Sequence, residues 1–372
     1  MESCPPEILD HIFAYACTDD GHTGRALSAV SHTIRETSRR RALQSIALYG
    51  YDQIEGFLEL LDQRAPSDNQ VSHLFLTDHK PTTVFDDPIN AAQLWVRERI
   101  PKEQYPRMRI SRRDPSMSIT RLLTTVGSHL STLTFLLFEA YDDCNILATT
   151  LHTLCRLDEL TMHCSTLQST PGAAMPSCPS LRRLHIVSDC PQNLEPWDRE
   201  TPLEKISQIA PPLTHLRVSR LRPYHLSTRE YMRIAIKKLL GIERDSALKR
   251  YQGERGALVI LPPDLSCIIM QTSSVTWSEA SNLSSRQLED CFRHFAKLDT
   301  RKRVSVELWP DWTCERAAYL EVQLYMRLKD SWEKRIHGEE GMWEVVHNPP
   351  QVSIGPHTWP FRTPSLSTAE ST

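Results

Sequence analysis

Apolar and polar positions alternate along this chain in two rhythms, one helical and one extended. Ile8, Leu9, Ile12 and Phe13 fall at i, i+1, i+4 and i+5 behind Pro5 and Pro6, which predicts a helix with proline in its first turn. Asp19-Asp20-Gly21 reads as a turn. A short helix is predicted over about Arg25–Val30, with Ala26, Leu27 and Val30 on one side. A third is predicted from about Ser31 to Leu43, carrying Ile34 and the basic run Arg39-Arg40-Arg41. Ser45–Tyr49 and Val71–Leu76 read as strands. Between them, Ile54, Phe57, Leu58 and Leu61 mark an amphipathic helix over Tyr51–Arg64. From Thr77 to about Pro115 the pattern is irregular and polar, as in a large insertion.

Beyond that point one phrase recurs, a leucine followed three and five residues later by apolar side chains. It appears as Leu133, Leu136, Phe138, then Leu157, Leu160, Met162, then Leu181, Leu184, Ile186, then Leu213, Leu216, Val218. Val71, Leu74 and Leu76 fit it earlier. The four later starts lie 24, 24 and 32 residues apart, and helical faces (Ile119, Leu122, Leu123, Val126; Leu147, Leu151, Leu154) precede two of them. A strand plus a returning segment every 20–29 residues is the signature of leucine-rich arrays. No such unit buries its apolar side alone, so neighbours must stack as parallel strands. Later signals are sparser. Capping boxes stand at Ser227-x-x-Glu230 and Ser284-x-x-Gln287, a buried strand is predicted at Leu258–Leu261, and Val304, Val306 and Leu308 alternate. Leu320, Leu324, Leu328, Trp332 and Ile336 predict a long last helix closed by Gly338. From about His347 the chain is rich in Pro, Ser and Thr and is expected to be disordered.

Composition narrows the function classes. The 372 residues are 40% hydrophobic and 24% charged, with a net charge of -3, so no strong field attracts nucleic acid or anionic membrane. The start lacks the basic and apolar regions of a signal peptide, and no apolar run is long enough to span a bilayer. The ten cysteines are therefore expected as reduced thiols. His152-x-x-Cys155 and His163-Cys164 raise a zinc site, but no C-x-x-C pair supports one. Asp86-Asp87 and Asp142-Asp143 read as solvated loops. No phosphate loop, nucleophile elbow or zinc-protease motif occurs, so neither cofactor nor metal is expected and the chain is not read as an enzyme. A Cys–His nucleophile pair in a pocket would be the observation against that reading.

The run Cys4-Pro5-Pro6-Glu7-Ile8-Leu9-Asp10-His11-Ile12-Phe13 resembles the opening of an F-box, with Leu27, Val30-Ser31 and the basic Arg35, Arg39, Arg40 and Arg41 similar to its later part. Cys4 stands where the family carries leucine, and Ile34 is the apolar residue nearest the tryptophan that many members have after Val-Ser. The chain as a whole is similar to fungal F-box proteins, whose late tryptophan- and glycine-rich stretch resembles Trp332, Gly338, Gly341 and Trp343. The resemblance implies an α/β fold class with a short all-helical F-box, residues 1–48, followed by an irregular leucine-rich-repeat-like solenoid. That array would span residues 49–345, with the insertion at 77–115 and a tail at 346–372. It also implies a substrate-recognition subunit of a Skp–cullin–F-box ubiquitin ligase, in the cytoplasm or nucleus, that reaches cullin and RING subunits through a Skp-family adaptor. A repeat scaffold with no ubiquitin link is the alternative.

Three short helices cannot enclose a full core, so a partner is expected over part of their apolar surface. Pro6, Ile8, Leu9, Ile12, Phe13, Leu27 and Val30 are the candidate adaptor contacts, and for any one of them a place in the domain's internal core is the alternative. In the strands, residues between the apolar positions are expected to line an open concave face. There the later strands turn basic. Arg183, His185, His215 and Arg217 are the candidate contacts to a protein target with an acidic or phosphorylated segment, the alternative being charges that only keep the sheet face soluble.

Overall fold

The computed structural model describes residues 4–78, 115–137, 146–163, 176–188, 206–221, 236–241, 261–272, 279–308 and 317–344. Most of the expected insertion, the Ser227 capping box, positions 258–260, the two aspartate pairs, Phe138, Cys164 and the expected tail lie outside these residues.

Three helices open the chain: α1 (Pro6–Ala16), α2 (His22–Val30) and α3 (His32–Ser38). The next element is strand β1 (Ser45–Tyr49), and from here helices and strands alternate. They are α4 (Tyr51–Asp62), β2 (His73–Thr77), α5 (Pro115–Val126), β3 (Thr132–Leu136), α6 (Ile146–Thr150), β4 (Glu159–His163), β5 (Arg183–Val187), α7 (Ile206–Ile209), β6 (His215–Leu221), β7 (Cys267–Thr272), α8 (Glu279–Leu298), β8 (Val304–Leu308) and α9 (Ala317–Ile336). All eight strands form one parallel sheet whose order follows the chain from β1 to β8.

The register explains why the leucines recur. Ile46, Leu74, Leu133, Leu160, Leu184, Leu216, Ile268 and Val304 are successive partners across the eight strands. Leu48, Leu76, Phe135, Met162, Ile186, Val218, Met270 and Val306 form the next such column. Alternation along a strand puts both columns on one face. Against them pack Ile54 and Leu58 of α4, Leu122 and Leu123 of α5, Leu147 of α6, Ile206 of α7, and Phe292 and Phe295 of α8. At about 1.5–3 kcal/mol for each large apolar side chain fully buried, this face dominates the stability of the sheet. One expected phrase shifts. Leu133 pairs with Leu160, so the first of the four runs is Leu130, Leu133, Phe135, and Leu136 points to the other face.

That other face overturns the expected architecture. An all-helical F-box followed by an irregular leucine-rich-repeat-like solenoid requires a separate head and an array with one side open. The chain forms a single eight-stranded all-parallel sheet with helices on both faces, an α/β arrangement. Leu324, Tyr325, Leu328, Trp332 and Ile336 of α9 bury themselves on Ala47, Phe75, Leu136 and Val187. Phe75 meets Tyr325 and Trp332 edge-on, with ring centroids 5.7 Å apart in each pair, a geometry that adds about 0.5–1.5 kcal/mol beyond burial. The first half of the second face is too apolar to stand in water, and the amphipathic last helix covers it. Nor is the head separate. Ala47 N–H donates to the Asp20 carbonyl at 3.4 Å, and the Gln44 carbonyl accepts from Ser72 and His73 N–H at 2.8 and 2.9 Å.

Candidate functional site

The N-terminal helices are held by specific polar contacts. Asp19, two residues before the N-cap Gly21, accepts from Thr23 N–H at 2.8 Å and from Gly21 N–H at 3.0 Å. Helix α2 starts three residues earlier than the apolar pattern predicts. The Ser31 hydroxyl accepts from Ile34 N–H and opens α3. Arg41 grips Asp10 of α1 with two bonds, at 2.8 and 3.0 Å. That hydrogen-bonded guanidinium holds the Asp10 carboxyl below its usual range. Arg35 Nε reaches the Ser28 carbonyl at 2.6 Å. Gly24 lets α2 touch the turn after α3, because a Cβ there would sit 2.0 Å from the Ala42 carbonyl oxygen.

These contacts split the predicted adaptor residues into two sets. Leu9, Phe13 and Ile34 form a small internal core, with Leu27 and Cys4 packed against it. Leu9 and Phe13 are therefore buried in the head itself and are not available as contacts. Pro6, Ile8, Ile12 and Val30 face outward, and Ile8 and Ile12 are half exposed. The sequence reading grouped Ile8 with Leu9 and Ile12 with Phe13, yet neighbours on a helix diverge by about 100° and face different ways. It also missed Tyr15, which continues the Ile8–Ile12 stripe at i+7 and is 82% exposed. Its i, i+4, i+7 spacing was the available signal. Ala26, Ala29 and Val30 of α2 are exposed as well.

The predicted target residues lie on the expected face of the sheet, but they are covered. His185 and Arg217 are buried, and Arg183 and His215 are mostly shielded. The cover is the segment after α9, which ends in a tight turn at Gly341–Trp343. Trp343 Nε1 donates to Glu159 at 2.9 Å, and its ring meets His215 and His185 edge-on. Arg335 of α9 donates to the other Glu159 oxygen at 2.8 Å. Burial pushes the Glu159 carboxyl up, against the pull of Arg335 and Trp343. Arg217 donates to the Met342 carbonyl and to Glu307, and burial lowers its pKa. His185 donates to or accepts from Ser219 at 2.8 Å, and burial holds it far below the ordinary histidine range. The expectation of an open basic surface fails for a physical reason. Desolvating arginine requires partners, and Glu159, Glu307 and Glu340 supply them.

Elsewhere the described residues offer little chemistry. A cavity of about 480 Å³ is lined by Lys238, Leu239, Leu240, Leu261, Leu298, Arg303 and neighbours. Its carboxylate, Asp299, already accepts from the backbone N–H groups of Arg301, Arg303 and Val304. Among the described residues no group of three or more His, Cys, Asp or Glu side chains is placed to hold a metal ion. No described helix is long and apolar enough to cross a membrane. Burial raises the thiols of Cys17 and Cys178 to about 11, which suits packing rather than nucleophilic attack. Compared with known proteins, the chain matches no family model and no curated protein.

Proposed function

We propose that the N-terminal helices dock a Skp-family adaptor, and that the chain is a substrate-recognition subunit of a Skp–cullin–F-box ubiquitin ligase. The observation that carries this reading is the exposed apolar stripe Ile8, Ile12, Tyr15 on α1, with Val30 also exposed on α2. Elsewhere large apolar side chains are mostly buried, so a patch of this kind calls for a cover. The F-box resemblance of Cys4–Phe13 supplies the kind of cover. Each of these side chains is worth about 1–3 kcal/mol when a partner buries it fully, enough for association after the cost of docking. The same reading puts the protein in the cytoplasm or nucleus.

Co-purification with a Skp-family adaptor tests it. The wild-type chain is expected to retain the adaptor, and the Ile12→Asp/Val30→Asp variant to lose it while keeping its melting temperature. A wild-type chain that never holds the adaptor, or a folded double variant that still does, overturns the proposal.

A further inference from the structure

The turn that covers the basic half of the sheet is joined to it differently from α9. The helix adheres through apolar and aromatic burial, Phe75 against Tyr325 and Trp332. The turn adheres through the Trp343 ring, through Met342 at the edge of the same apolar cluster, and through several charged or polar bonds. Glu340 lies 3.5 Å from Arg183 and 3.7 Å from Arg335, and its side chain remains 56% exposed. Trp343 bonds Glu159, and the Met342 carbonyl takes the Arg217 guanidinium. Met342 N–H donates to the Ser331 hydroxyl at 2.9 Å. Arginine and tryptophan at the centre, with half-exposed charge at the rim, is the composition of an interface between separable partners. Desolvated charge pairs contribute little net adhesion compared with apolar contacts of the same size. The path of the segment depends on two glycines. It leaves α9 at Gly338, with φ +87°, and turns again at Gly341, with φ +56°, a conformation other residues rarely adopt.

We infer that residues 338–344 act as an intramolecular ligand, and that the surface beneath them is a peptide-binding site for acidic segments with a tryptophan three residues after a carboxylate. The site is the pocket between Arg183 and Arg335 for the carboxylate, with His185, His215 and Glu159 receiving the indole. The chain's own Glu340 and Trp343 show the ligand chemistry. A target of the same chemistry binds by displacing them, while α9 stays in place. The inference is independent of the adaptor reading, because its residues lie on the middle strands and after α9, and it needs no adaptor.

The probe is a fluorescein-labelled peptide with the sequence of residues 337–344, titrated into the full-length chain and read by anisotropy. The Trp343→Ala protein is expected to bind it at least about tenfold more tightly than wild type, since removing the internal competitor raises the competent fraction. Peptides with alanine in place of the tryptophan, or lysine in place of the second glutamate, are expected not to bind. If Trp343→Ala melts well below wild type, the same titration on Glu340→Lys decides, because Glu340 is half exposed and its charge reversal repels the turn without opening the core. Binding to neither variant, equal binding to wild type and variants, or equal binding of the substituted peptides would overturn the inference.

Discussion

Arg217 on β6 reaches Glu307 on β8 at 2.5 Å, leaning across β7 to do so. The two partners are not equally buried. Arg217 is 3% exposed and Glu307 is 21% exposed, so each tolerates the loss of the other differently.

Removing Glu307 strands a buried guanidinium, whereas removing Arg217 leaves a carboxylate that water can reach. Glu307→Leu is expected to cost about 3 kcal/mol, near the low end for a broken buried pair, because Arg217 keeps the Met342 carbonyl and the Ser219 hydroxyl. Arg217→Met is expected to cost less than Glu307→Leu, and the double variant should recover part of that loss. Urea unfolding of the four proteins in a double-mutant cycle checks the order.

The two sides of α1 make opposite predictions. Leu9→Ala, in the small core with Phe13 and Ile34, should destabilise the head by about 2–5 kcal/mol. Ile12→Asp, one turn on and half exposed, should change stability by no more than about 0.5 kcal/mol while abolishing adaptor capture. Thermal melts alongside co-purification separate the two effects.

Gly24→Ala places a methyl group against the Ala42 backbone, with carbonyl oxygen and carbon at 2.0 and 2.8 Å, and backbone does not yield as a side-chain tip does. A loss of about 3 kcal/mol is expected. Hydrogen exchange should show it first as faster opening of α2 and α3, with the central strands still protected.

Acid should weaken the fold through its buried histidines. Burial lowers His73 from 6.5 to about 4, and holds His185 well below its ordinary value. Both stay neutral in the folded chain, while the unfolded chain takes up protons near pH 6.5. The unfolded state therefore binds more protons between pH 6.5 and 4. Stability present above pH 6.5 is lost as pH falls through this window, by about 3 kcal/mol for His73 alone. Glu159, raised by burial, works in the opposite sense just above its ordinary value and reduces the net slope there. Urea melts from pH 7 to pH 4 should show the decline, and His73→Gln should flatten it.

Periodicity was a good guide to local structure and a poor one to what covers it. The phrases at Leu160, Leu184 and Leu216 mark neighbouring parallel strands, and the one at Leu74 marks a strand of the same sheet, because a leucine column shared by adjacent strands must repeat in sequence. At Leu133 the phrase fits two ways, since Leu130, Leu133 and Leu136 are all leucines, and only the pairing with Leu160 selects one. Strand β7 was missed. Its run Cys267-Ile268-Ile269-Met270 is apolar on both faces and shows no alternation, as expected of a strand buried on both sides. Helix α8 begins five residues before the Ser284 capping box, and α3 stops at Ser38, short of the expected Leu43. The seal by α9 had no local signal. Nothing in Trp332 or Trp343 names Phe75 or Glu159 as its partner, and an arginine destined for burial reads the same as one facing water.

The strand order also dictates a sequence of events during synthesis. Each strand pairs with the one before it, so the sheet can lengthen as the chain emerges, adding one edge at a time. Helix α9 breaks this economy: Trp332, near the end, must travel back to Phe75, near the beginning. Until it does, the second face of β1 to β5 is bare, with Phe75, Leu136 and Val187 in water. The nascent protein is therefore most prone to aggregate before α9 emerges, and a chain cut short of α9 is a sheet with an adhesive side.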